Sequence, residues 1–78
     1  MLREIALRTV WAMLAECAPD HAVEEKLHHY WVRYNGKTYR SLPLGRRGAR
    51  RPMVQAFHIR KMVTHLAIDR DCADQYLS

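Results

Sequence analysis

Leu27-His28-His29-Tyr30-Trp31-Val32-Arg33-Tyr34-Asn35-Gly36-Lys37-Thr38-Tyr39-Arg40-Ser41-Leu42 is the stretch on which the fold turns. Two runs rich in aromatic and β-branched residues flank Asn35-Gly36, a pair that accepts positive φ at low cost and so closes a two-residue hairpin. With that turn, Tyr34 faces Lys37, Val32 faces Tyr39, Tyr30 faces Ser41 and His28 lies near Pro43. The opposite sheet face then carries Leu27, His29, Trp31 and Arg33 with Thr38, Arg40 and Leu42. Each face mixes apolar and polar groups, so alternation does not choose the buried one. His28 is expected at the opening of a rigid strand.

Working outward, Leu2, Ile5, Ala6, Val10, Met13, Leu14 and Cys17 recur at near-helical spacing and Pro19 marks a stop, which predicts an amphipathic helix over 2–17. Trp11 falls off its main stripe. Ala18 to Lys26 has no clear period and reads as a polar connection. Beyond the hairpin, Pro43 to Pro52 holds two glycines and four arginines and reads as a basic loop. Met53 to Phe57 fits a short third strand or the lead into a helix. From Phe57, the apolar residues Ile59, Met62, Val63, Leu66 and Ala67 form one helical stripe, with His58, Arg60, Lys61 and His65 opposite. Asp69 is placed to cap a last short turn containing Cys72, Tyr76 and Leu77.

The 78 residues, 49% of them hydrophobic, suit one domain spanning 1–78 with a small core and surface sites only. The expected class is α+β, in the order helix, strand, strand, a third strand near Met53, helix. Both helices should lie on one face of an antiparallel sheet. Thirteen Lys and Arg against eight Asp and Glu leave a formal charge of +5, which favours anionic partners, nucleic acid first and an acidic protein second. Arg46, Arg47, Arg50 and Arg51 crowd one stretch. Cys17 and Cys72 belong to no CxxC or Cys/His pattern and read as reduced core thiols of a cytoplasmic protein. Arg3 and Glu4 interrupt the opening residues and no long apolar run follows, so neither a signal peptide nor a membrane span is expected.

An imidazole titrates near neutrality and can pass a proton between oxygens. RNA cleavage needs that transfer twice, from the attacking ribose 2′-OH and to the leaving 5′ oxygen. A cation must also offset charge on the phosphorane, and Lys37, Arg40, Arg46 and Arg47 are the candidate suppliers. The plainer reading makes each strand histidine a semi-buried polar residue bonded to its neighbours. Metal chemistry is not expected, because adjacent strand residues His28 and His29 point to opposite faces, and His58 and His65 lie two helical turns apart. The same residues suit noncatalytic nucleic-acid binding, with Tyr30, Trp31, Tyr34 and Tyr39 as stacking candidates and the arginine loop following phosphates. For Val32 with Tyr39, a cross-strand pair is the better reading. A third reading is an adaptor that docks an acidic protein through the helix bearing His58, Lys61 and His65.

The opening helix, the Leu27-His28-His29-Tyr30 strand start, the second strand ending Ser41-Leu42-Pro43 and the helix Phe57-His58-Ile59-Arg60-Lys61-Met62-Val63-Thr64-His65-Leu66 together resemble the HicA toxin family of bacterial toxin–antitoxin pairs. That resemblance implies a small double-stranded-RNA-binding-domain-like fold and an mRNA-cleaving endoribonuclease without metal or cofactor. Matching the family's Gly-Ser-His segment to Lys26-Leu27-His28 implies a general acid or base role for His28. Lys37, Arg40, Arg46, Arg47, Arg50 and Arg51 would hold RNA, and a HicB-type antitoxin would be the protein partner. The alternative function is a noncatalytic nucleic-acid-binding module of the same fold.

Overall fold

A computed structural model describes residues 3–44 and 50–77 of the chain. Along them run β1 (Glu4–Ala6), α1 (Leu7–Cys17), β2 (Ala22–Glu25), β3 (His29–Tyr34), β4 (Lys37–Pro43), β5 (Met53–Gln55), α2 (Ala56–His65) and α3 (Arg70–Leu77). The class is α+β. β2, β3 and β4 make an antiparallel meander, and β1 pairs antiparallel with β5 in a separate ribbon.

Asn35 and Gly36 take φ of 55° and 72°, and the hairpin closes as their residue types require. Tyr34 lies opposite Lys37 and Val32 opposite Tyr39, but the register then shifts. Arg40 and Ser41 together oppose Trp31, so Tyr30 meets Leu42 rather than Ser41, and His29 rather than His28 meets Pro43. This β-bulge turns Leu42 onto the face of Tyr30, Val32 and Tyr39 and leaves Arg40 and Ser41 exposed. The bulge thereby settles the buried face: Val32 and Leu42 are both 0% exposed, and Tyr30, Tyr34 and Tyr39 pack partly buried around them.

Two stretches differ from the sequence reading. Ala22–Glu25, expected as connection, is strand β2, with Val23 opposite Val32 and Glu24 opposite Trp31. The opening helix begins at Leu7, because Glu4–Ala6 pairs with Met53–Gln55 instead of winding into it. Ile5 is buried in that ribbon opposite Val54, which is why it matched the apolar period. The third strand of the meander is therefore β2, and the order α1, three strands, α2 stands with β1 and β5 added outside it.

α1 buries Leu7, Val10, Met13, Leu14 and Cys17, and α2 buries Ala56, Ile59, Met62 and Val63. Both helices meet the same sheet face. Trp11, the residue off the stripe, sets its ring 4.9 Å from Tyr30 in an edge-to-face contact, and α2 lies along β4 with the His65 ring 5.9 Å from Tyr39. Neither helix start has a side-chain cap. Instead the Leu7 amide donates to the Pro52 carbonyl at 2.9 Å and the Ala56 amide donates to the Arg3 carbonyl at 2.7 Å, so each arm of the ribbon serves the other arm's helix.

α2 ends in a Schellman-type turn: Ala67 takes φ of 55°, its amide donates to the Thr64 carbonyl, and the Ile68 amide donates to the Val63 carbonyl. The Asn35 side-chain amide donates to the Leu66 carbonyl at 2.9 Å and to the Ala67 carbonyl at 3.4 Å, fastening the hairpin turn to this helix end. Asn35→Gly keeps the positive φ but loses both bonds, and is expected to cost about 1 kcal/mol. Chemical denaturation of the two proteins measures it, and equal midpoints would show that the fastening carries no stability. Asp69 caps α3 as expected, its carboxylate accepting from the Asp71 and Cys72 amides.

Cys17 and Cys72 form a disulfide between the end of α1 and α3, which corrects the expectation of two reduced thiols. Neither cysteine has a partner nearby in sequence; the packing of α3 on α1 brings them together. Among the described residues no helix is long and apolar enough to cross a membrane.

Candidate nucleic-acid interface

With Tyr30, Val32, Tyr39 and Leu42 turned inward, the other face of the meander presents Glu24, Trp31, Arg33 and Arg40. Trp31 is its centre. The Lys26 ammonium lies 4.6 Å and the Arg40 guanidinium 4.8 Å from the ring centroid, so two cations rest on one indole. Arg40 reaches it because the bulge aims that side chain, and Lys26 because the β2–β3 hairpin turns back immediately after it: the Lys26 amide donates to the His29 carbonyl at 2.8 Å. Glu24 balances part of this charge by pairing with Lys26 and with Arg33, the latter at 3.2 Å. Lys26 foremost, then Arg33, hold the Glu24 carboxyl below its usual range. The face thus joins an aromatic ring to three cations and one carboxylate, a composition that can meet both bases and phosphates.

His28 is not on a strand. It closes the three-residue loop Lys26-Leu27-His28 between β2 and β3, is exposed, and makes no side-chain hydrogen bond among the described residues. Leu27 beside it is 79% exposed. The loop keeps His28 two residues from Lys26, at the end of the sheet where β2 turns back into β3. Lys37 starts β4 at the other end of the hairpin, roughly 20 Å from His28 along the strand direction. Arg50 and Arg51 are exposed and lead into β5, in the ribbon rather than the meander. Arg46 and Arg47 lie outside the described residues. Of the sequence candidates among the described residues, Arg40 joins Trp31 on the outer face, where the fold adds Lys26 and Arg33, while His28 stands at the loop end of the same sheet. Of the four stacking candidates, Trp31 alone stays on the outer face; Tyr30, Tyr34 and Tyr39 belong to the core rim, and burial pushes the Tyr39 phenol up.

A second group of titratable residues lies at the start of α2. His58, expected on an open helix side, is half-buried, and its Nδ1 is enclosed without a hydrogen-bond partner among the described residues. Burial, then the positive charges of Lys61 and His29, hold its imidazole below the ordinary range. His65 is held differently, its Nε2–H donating to the Thr38 carbonyl at 3.0 Å. No group of three or more His, Cys, Asp or Glu able to hold a metal ion occurs among the described residues.

Because the folded state binds a proton at His58 less readily than the unfolded chain, protonation disfavours folding. Stability is expected to be level above about pH 6.5, the unfolded value, and to fall as pH drops from there through the lower folded value. His58→Gln should flatten that decline in urea midpoints measured between pH 7.5 and 5. A mutant profile as steep as the parent's would assign the decline to other groups.

Compared with protein-family models, with curated proteins and with solved structures, the chain has no match.

Proposed function

We propose that the chain binds RNA through the outer face of its three-stranded sheet. The observation that carries this reading is Trp31 with Lys26 and Arg40 seated on its ring. A phosphate drawing one cation off the indole would free a ring face for a base, so charge and stacking act within one cluster. The net charge of +5 adds a favourable long-range field. Arg40→Ala and Trp31→Ala are each expected to weaken binding of a single-stranded RNA oligonucleotide about tenfold, a loss near 1.4 kcal/mol. Only Arg40→Ala should also reduce the salt dependence, by close to one ion. Fluorescence anisotropy at several salt concentrations reads both, and wild-type affinity in the two variants would remove the sheet face from the interaction.

A second reading extends the first: a HicA-like toxin whose His28 cleaves mRNA as general acid or base, held in check by a HicB-type antitoxin. Its support is the exposure of His28 on the loop that also carries Lys26, one of the two cations on the Trp31 ring. Against it, His28 has no orienting hydrogen bond among the described residues, of the kind general bases ordinarily have, and this favours the noncatalytic module. Either form would work in the cytoplasm, where thiol buffers act on the Cys17–Cys72 bond. Alkylation trapping of that pair in cells tests the location: fully oxidised cysteines would point to an oxidising compartment.

A further inference from the structure

β2 is an edge of the three-stranded sheet, and among the described residues no strand pairs with its outer side. The Lys26 amide donates to the His29 carbonyl, which fixes the alternation of the β2–β3 ladder. In step with Lys26, Glu24 and Ala22 turn their backbone groups toward β3, opposite Trp31 and Arg33. Val23 and Glu25 turn theirs outward, so each offers an N–H and a C=O along one open edge. Side chains sort by the same period. Val23 and Glu25 share the helix-side face with Val32 and Tyr30, whereas Ala22 and Glu24 share the outer face with Arg33 and Trp31. Val23 is 40% exposed although Val32, directly opposite it, is fully buried.

We propose that this edge pairs with the β2 edge of a second copy of the chain, antiparallel and centred on Val23, joining two meanders into one six-stranded sheet. Residues opposite each other in such a pair lie on the same face, so the two-fold axis must pass through a residue. Centring on Glu24 or on Glu25 sets a carboxylate against its own copy, and centring on Ala22 sets Asp20 against Glu24. Centring on Val23 opposes Val23 to Val23, Ala22 to Glu24 and His21 to Glu25, with no like charges facing. The same register lets the two Val23 residues exchange both outward backbone bonds and covers the half-exposed valines with each other. One register thus satisfies backbone, apolar contact and charge together, which selects a second copy over an unrelated extended peptide. The edge is distinct from the Trp31 cluster and does not depend on the RNA reading.

The test is sedimentation equilibrium of the full chain with Cys17–Cys72 oxidised. Four residues a side make a small interface, so dimers should form with a dissociation constant on the order of 0.1 mM. Val23→Lys places two ammonium groups face to face and should weaken the dimer at least about tenfold. Val23→Pro removes only the outward N–H, keeps every bond to β3, and should weaken it likewise. The register is read by crosslinking: Val23→Cys brings two Cα atoms about 5.5 Å apart, within disulfide reach, and should join on oxidation. Glu25→Cys, about 14 Å from its counterpart, should not. A monomer up to about ten times that dissociation constant, an unchanged dimer in both Val23 variants, or equal crosslinking at positions 23 and 25 would overturn the proposal. So would amide shifts at Val23 and Glu25 produced by an unrelated extended peptide and not by raising the concentration of the chain itself.

Discussion

Reduction of the Cys17–Cys72 bond should remove about 4 kcal/mol of stability, the chain-entropy value for a crosslink across a separation of 55 residues. A domain of this length holds roughly 4–12 kcal/mol in total, so at least about a third of its margin would go. The loss should concentrate at α3. That helix is short and polar, fully buries only Ala73 and Leu77, and touches the rest through α1 and α2. Eight residues do not sustain a helix alone in water. Thermal melts with and without a dithiol are expected to differ by roughly 20 °C, since about 1 kcal/mol moves the midpoint of a small domain by 4–8 °C. Hydrogen exchange should show the amides near Ala73 opening first. Superimposable melts for the oxidised and reduced protein would show that packing alone holds α3.

Replacing His28 with Ala is the other large effect, and it belongs to the cleavage reading alone. General acid or base catalysis contributes about 10²–10⁴-fold, so RNA cleavage in the presence of a chelator should drop by that factor or vanish. His28 is exposed and unbonded among the described residues, so the melting temperature should stay within about 2 °C. RNA affinity should stay close to the parent's, because Trp31, Lys26 and Arg40 remain. Three outcomes separate the readings. Loss of cutting with retained binding supports a HicA-like enzyme, undiminished cutting takes His28 out of the chemistry, and binding without any product from the parent protein leaves the noncatalytic module.

The hairpin turn was legible because Asn35-Gly36 is the residue pair for which two successive positive φ values cost least. The stripes of α1 and α2 were legible because both helices are amphipathic and bury one side. β2 was hidden, since a sheet-edge strand needs little apolar content: Ala22-Val23-Glu24-Glu25 has Val23 40% exposed and two carboxylates in water or ion pairs. β1 was hidden by coincidence of period, as Ile5 buries toward the same core whether strand or helix carries it. The bulge at Arg40 and Ser41 is a property of two strands together, and neither run announces it alone. The disulfide depends on α3 returning to α1, a contact without any local signature. Of the candidate site, Arg40 and Trp31 were readable as a cation and an aromatic, but their apposition came from the bulge. Lys26 joins them through a tight loop in a stretch that reads as connection.

Arg3 and Pro52, forty-nine positions apart, each lend a carbonyl to the first turn of the other's helix. A deletion of residues 3–6 is therefore not a local trim. It strips Ala56 of its acceptor and Val54 of its strand neighbour, so disorder should spread into the segment that carries Phe57 and His58 before it reaches the far end of α1. Any tag or fusion joined close to Arg3 inherits the same long reach, and its influence should be looked for at residue 56 as much as at residue 7.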